Sequence, residues 1–108
     1  LRVNDLELSV KSRSVNVRDK KIALTNIEFR LLKILMSHVG ALVSLDRLSA
    51  EVLGRRYNIF DRSISVHISN LRRKLGPYPC GSERIKTLRG DGFIYVYPEL
   101  QASQSDGL

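Results

Sequence analysis

The residues best suited to chemistry fall in one stretch, 62–75. Set at about 100° per residue, Ile64, Ile68, Leu71 and Leu75 share a narrow arc that must be buried. Nearly opposite stand Arg62, Val66, Ser69 and Arg73, with Ser63 and Asn70 beside them. Ser65 and Arg72 border one side of this outward face, His67 and Lys74 the other, and no carboxylate falls on it. The chemistry such a face can do is non-covalent. Asn70 carries the paired donor and acceptor that match adenine N7 and N6, and Val66 can meet a thymine methyl. Arg72, Arg73, Lys74 and His67 have the reach and charge for phosphates along the groove walls. The Arg72-Arg73-Lys74 triplet also sits in the last turn of a helix, where cations complement the macrodipole, so the triplet alone leaves a purely structural role open. Arg89, in the turn Arg89-Gly90-Asp91-Gly92, supplies a separate cation nearby in sequence.

Covalent chemistry finds little support. His38 and His67 are the two histidines and Cys80 the one cysteine, so no internal disulfide and no Cys-rich zinc site is expected. His38 falls on the apolar face of a helix, where packing is its expected role. The GDG of 90–92 is too short for a phosphate-cradling loop and precedes a strand instead of a helix. The chain is expected to be a non-enzyme with neither cofactor nor metal.

Charge narrows the partner. Residues 55–90 carry nine basic side chains against Asp61 and Glu83, a net +7 that equals the net charge of all 108 residues. Excess positive charge favours anionic partners, nucleic acid first. A basic RNA-binding protein is one alternative, but single-strand readers present stacking aromatics and the outward face has none. A domain that meets only an acidic protein is another. No apolar run is long enough for a bilayer span and no signal-peptide pattern opens the chain, so a soluble protein of a reducing compartment is expected.

These residues need positioning elements. Residues 1–24 alternate apolar and polar in LELSV (6–10) and SVNVR (14–18), followed by KKIAL (20–24), as in a small antiparallel meander with turns at Asn4-Asp5, Lys11-Ser12 and Arg18-Asp19. A first helix is expected over 25–39: Thr25 and Glu28 have capping-box spacing, Leu24 and Phe29 can form a hydrophobic staple, and Gly40 suits the exit. A second helix is expected over 44–53, stapled by Val43 and Leu48 and ended by Gly54. After a loop at 55–60, Asp61 can cap a third helix, 62–75, stopped by Gly76 and Pro77. Two strand-like runs, 84–88 and 93–97, flank the glycine-rich turn as a hairpin. The segment 98–108 is expected to be a flexible tail. Two helices joined by a short loop, followed by a basic hairpin, make a helix-turn-helix with a wing. The fold class is α+β, with 1–97 as a single domain.

The stretch FDRSISVHISNLRRKL (60–75), followed by TLRGDGF (87–93), resembles the OmpR/PhoB family of response-regulator DNA-binding domains, and LTNIEFRLL (24–32) and VSLDRLSAEVLG (43–54) fit the same family. Within it, EVLGRR and FDRSISVHISNLRRKL look most like the CpxR group. The resemblance covers about residues 1–97. It implies a winged helix-turn-helix with an N-terminal four-stranded antiparallel sheet, three helices and a C-terminal β-hairpin wing. It implies a transcription regulator of a two-component system, with the helix 62–75 in the major groove of double-stranded DNA and the wing in the minor groove. Base-reading positions match Ser65, Val66, Ser69 and Asn70; phosphate-contacting positions match Arg62, His67, Arg72 and Thr87; the minor-groove arginine matches Arg89. The loop Arg55, Arg56, Tyr57, Asn58 and onward to 60 matches a segment that touches RNA polymerase in several members.

The same resemblance implies head-to-tail pairs on direct repeats, an isolated domain that is monomeric in solution, and a bacterial cytoplasmic location. It also implies a receiver domain, absent from this chain, through which a sensor kinase would act. Two positions depart from the pattern. Phe93 stands where many relatives have tyrosine, and Asp91 puts a carboxylate close to the expected path of DNA. A turn-stabilising role for Asp91 is the favoured expectation.

Overall fold

The computed structural model describes residues 1–99; the tail expected over 98–108 lies almost entirely outside them. Residues 2–22 form an antiparallel sheet of four strands in sequence order: β1 (Arg2–Val3), β2 (Leu6–Ser9), β3 (Ser14–Val17) and β4 (Lys20–Ile22). Alternation does the work expected of it. Leu6 pairs with Val17 and Leu8 with Val15, and all four side chains point into the core. The β3–β4 turn has both Arg18 and Asp19 at positive φ, 50° and 67°, the twist-compatible geometry of a two-residue hairpin. At two residues β1 is too short to show an alternation, and β4 ends at Ile22 instead of reaching residue 24.

The capping box then starts α1 (Asn26–Ser37): Thr25 Oγ1 accepts from the Glu28 amide at 3.2 Å and Glu28 Oε1 accepts from the Thr25 amide at 2.9 Å. The helix stops two residues before the expected 39, and His38 is its C-cap, half-buried, not a member of its apolar face. A strand that the sequence did not announce follows, β5 (Val43–Ser44), which pairs with the C-terminal hairpin. Ser44 caps α2 (Leu45–Leu48) by accepting from the Arg47 amide. The rest of the expected second helix, Ser49–Leu53, winds as one wider π turn, closed by Gly54 at φ 71°.

The third helix, α3 (Ser63–Leu75), begins one residue later than expected, with Arg62 at the cap position and no side-chain bond from it. Asp61 still supplies the capping acceptor, from one residue farther out: its Oδ1 takes the Ser63 amide at 3.0 Å. The hairpin is β6 (Ile85–Leu88) and β7 (Gly92–Tyr95), and β7 lies between β5 and β6 in a second sheet. Gly92 allows that junction, because a Cβ there would stand 2.1 Å from the Val43 carbonyl oxygen. Phe93 and Tyr95 are buried, whereas Tyr97, beyond the strand, is exposed.

One continuous core joins these layers. Leu31, Leu32 and Leu35 of α1 meet Ile64, Ile68 and Leu71 of α3, with Leu6, Leu8, Leu48 and Tyr95 around them. The expected buried arc of α3, Ile64, Ile68, Leu71 and Leu75, is buried in full. A buried ion pair clamps the N-terminal sheet to the base of the hairpin. Arg84, 4% exposed, donates to both carboxylate oxygens of Asp5, at 2.7 and 3.0 Å, and to the carbonyls of Gly76 and Pro77, with its guanidinium over the Tyr78 ring. The hydrogen bonds from Arg84 hold the Asp5 carboxyl below its ordinary pKa, against the opposing effect of burial. Among the described residues no helix is long and apolar enough to cross a membrane.

Candidate nucleic-acid interface

The outward face of α3 is built by what lies behind it. With its apolar arc locked in the core, the helix has no rotational freedom, so the opposite residues must face solvent. Ser65, Val66, Ser69 and Arg73 are exposed, as is Arg62 at the helix entrance, with His67 and Asn70 half-buried at the edges. Val66 is 53% exposed, an isolated apolar contact point among small polar groups.

The entrance to α3 is fixed by charge. Arg55 donates through Nε to Asp61 Oδ2 at 2.9 Å and through Nη2 to Ser63 Oγ, while Asp61 holds the Ser63 amide. Hydrogen bonds from Ser63, then from Arg55, pull the Asp61 carboxyl down to a pKa of about 2. The loop 55–60 is thereby pinned at its two ends. Asn58 Oδ1 accepts from the Phe60 amide, Tyr57 is half-buried and Arg56 is exposed. Ile59 and Phe60, at 78% and 89% exposure, form an apolar tip that sequence reasoning did not single out. A local signal existed, two consecutive large apolar residues in a loop with no helical or strand period to bury them.

The three consecutive cations at the end of α3 meet three different fates. Arg73 stays on the outward face and donates to Asn70 Oδ1 at 2.8 Å. Arg72 turns toward the hairpin. It donates to the Ile85 carbonyl through Nε and Nη2 at 3.2 and 2.9 Å and to Thr87 Oγ1 at 2.7 Å, and its guanidinium lies 5.8 Å from the Phe93 ring centre. Arg72 and Thr87, each expected to contact phosphate, are thus bonded to one another as a strut between helix and wing. Lys74 points toward α1 and donates to Glu28 Oε1 at 2.7 Å. Burial opposes charge on Glu28, but the Lys74 ammonium and the Thr25 amide outweigh it and leave its pKa below the ordinary value. Lys74, expected to reach phosphate, thus has its ammonium on a carboxylate that is itself almost wholly buried.

The wing stands across a cleft of about 210 Å³ from the start of α3, lined by Tyr57, Arg62, Ser65, Thr87, Arg89 and Phe93 among others. Gly90, at φ 81°, makes the turn that exposes Arg89. The turn is held by the Asp91 main chain, whose N–H donates to Leu88 O and whose carbonyl accepts from Leu45 N. Among the described residues the Asp91 carboxylate makes no hydrogen bond, so the favoured expectation that its side chain stabilises the turn is not met.

Arg62, Ser65, Val66, Ser69, Asn70 and Arg73 therefore share one face, with Arg89 across the cleft, Arg72 and Thr87 bracing the two, and Lys74 apart. Cys80, exposed, has its thiol 3.1 Å from Ser82 Oγ, a contact that lowers its pKa. Among the described residues no group of three His, Cys, Asp or Glu side chains is arranged to hold a metal ion.

Comparison with known proteins places this geometry. The family model described as transcriptional regulatory protein, C terminal, matches residues 19–95. The chain belongs to this family, the effector domains of OmpR/PhoB-type response regulators. It is 46% identical over 96 residues to the transcriptional regulatory protein CpxR of Klebsiella pneumoniae and 45% identical to CpxR of Escherichia coli K12, covering 89% of this chain and 41% of each of those proteins. It thus spans about two fifths of the length of these relatives. The crystal structure of the DNA-binding domain of E. coli CpxR superposes with a TM-score of 0.86 at 42% identity, over 92% of this chain and 97% of that one. The Klebsiella pneumoniae RstA DNA-binding domain, solved in complex with the RstA box, gives 0.81 at 31% identity, over 89% and 95%. The winged helix-turn-helix implied by the sequence is the fold of this family member.

Proposed function

We propose that this chain binds double-stranded DNA sequence-specifically, as the effector domain of a two-component transcription regulator in the bacterial cytoplasm, without catalysis of its own. The observation that carries this reading is the exposed, carboxylate-free face of α3, Arg62, Ser65, Val66, Ser69, Asn70 and Arg73, in a fold that RstA uses on its box. In this reading Ser65, Val66, Ser69 and Asn70 meet base edges in the major groove, with Arg73 beside Asn70, and Arg62 and His67 meet phosphates. Arg89 enters the adjacent minor groove, where a narrow A/T-rich tract concentrates negative potential. Arg72 and Thr87 act chiefly by holding helix and wing at a fixed separation.

Residues 1–97 act as the binding unit, monomeric when free and paired head-to-tail on repeated half-sites. The loop Arg55–Phe60 offers RNA polymerase a basic and apolar tip, a role supported by the exposure of Ile59 and Phe60. A kinase would act only through a receiver domain outside this chain.

Competition between a selected duplex and scrambled duplexes tests the function. Specific groove binding predicts a preference of about 10³-fold or more, the lower end for specific sites. Equal affinity for every sequence would leave only a basic surface.

A further inference from the structure

We infer that Arg73 decides which base Asn70 prefers, by engaging its amide oxygen and making the pair a donor-rich surface suited to guanine instead of adenine. The inference rests on the DNA-binding function proposed above and assigns a specificity determinant within it. Arg73 Nη2 donates to Asn70 Oδ1 at 2.8 Å from the next turn of α3. A guanidinium has donors and no acceptor, so the amide atom it engages must be the carbonyl oxygen. The orientation of the Asn70 amide follows from that chemistry alone. Its Nδ2 group, with two hydrogens, is the end left to face a base.

A free asparagine matches adenine because it offers one donor and one acceptor to N6 and N7. Oδ1 has two lone pairs, of which Arg73 takes one; with the guanidinium beside that oxygen, the pair puts forward Nδ2–H and the remaining guanidinium hydrogens, a surface dominated by donors. Guanine presents N7 and O6, both acceptors, in the major groove; adenine would set its N6 amino group against Nδ2, donor against donor.

The surroundings favour this arrangement. No carboxylate draws Arg73 away among the described residues. Its two neighbours cannot replace it, since Arg72 is held by Ile85 and Thr87 and Lys74 by Glu28. Ser65 and Ser69 carry hydroxyls that donate or accept, so they do not set the preference.

The test is selection of binding sites from random duplexes by the chain as it stands, by Arg73→Ala and by Asn70→Ala, with thermal melting to show that all three fold. The wild-type chain should favour guanine over adenine by about tenfold at one half-site position, the scale of a single good base contact, and 7-deazaguanine there should lose most of that. Arg73→Ala should move the preference at that position to adenine, and Asn70→Ala should flatten it. Adenine chosen by the wild-type chain at the position that depends on Asn70 would overturn the inference. So would Arg73→Ala keeping guanine, or losing all preference without gaining adenine. A wild-type chain that enriches no sequence would instead remove the DNA-binding function on which the inference stands.

Discussion

The two sides of α3 and the hairpin use the same residue types for opposite purposes. On the inner side cations are consumed. Arg84 is locked on Asp5, Lys74 on Glu28 and Arg72 on Ile85 and Thr87. On the outer side Arg62, Arg73 and Arg89 are exposed and, among the described residues, meet no carboxylate. The net +7 of residues 55–90 therefore overstates the charge available to a partner. Arg55 is engaged too, with Asp61, a pair that the net +7 already counts as neutral. Position relative to the core decides whether a cation holds the fold or faces outward; its place in a basic run does not.

The comparison is broken most forcefully from the inside. Arg84→Ala leaves the Asp5 carboxylate buried without its partner and is expected to cost about 3–5 kcal/mol of stability, measured by urea unfolding. Arg72→Met removes charge-assisted bonds to Ile85 and Thr87 and should cost about 1.5–3 kcal/mol. It should also weaken DNA binding, since the wing then loses its strut; unchanged stability would mean that Arg72 is a free cation after all. Thr25→Ala removes half of the capping box and should cost about 1 kcal/mol. Arg89→Ala, on the outer side, should shift stability by less than about 0.5 kcal/mol while weakening binding most on A/T-rich flanks.

Acid should separate the sides too. Asp61 has its pKa pulled from 3.8 to about 2, so its contribution is complete above pH 3.8 and is lost as pH falls toward about 2. Asp5, also lowered, acts in the same direction. Amide exchange at Ser63 should therefore rise, relative to mid-helix amides of α3, as the pH is lowered through that window. Protection that stays constant would detach Asp61 from the helix cap.

What could be read beforehand follows the range of each interaction. Thr25 and Glu28 stand three residues apart, and the buried arc of α3 repeats within two turns, so local spacing sufficed for both. Alternation likewise set β2 against β3. The Arg84–Asp5 pair spans a separation of 79 residues, and nothing local in Asp5 or Arg84 marks either as buried. The same holds for β5, two residues long, whose existence depends on the gap beside Gly92. The triplet 72–74 looks uniform in sequence. Its division depends on three neighbours, Asn70 one turn away on the same helix and Thr87 and Glu28 brought close only by folding. The hydrogen bond from Arg73 to Asn70 was not legible for a related reason: helical spacing makes the two neighbours, but it does not choose which hydrogen bond the amide makes.

The division between inner and outer cations is tested most directly by the salt dependence of DNA binding. At about −0.9 in log–log slope per phosphate neutralised, three outer cations predict a slope near −3 for the wild-type chain. Arg62→Ala should make it shallower by about 0.9, whereas Lys74→Met, provided the variant is folded, should leave it unchanged. A slope near zero, or the same loss of slope from Lys74→Met as from Arg62→Ala, would contradict the account.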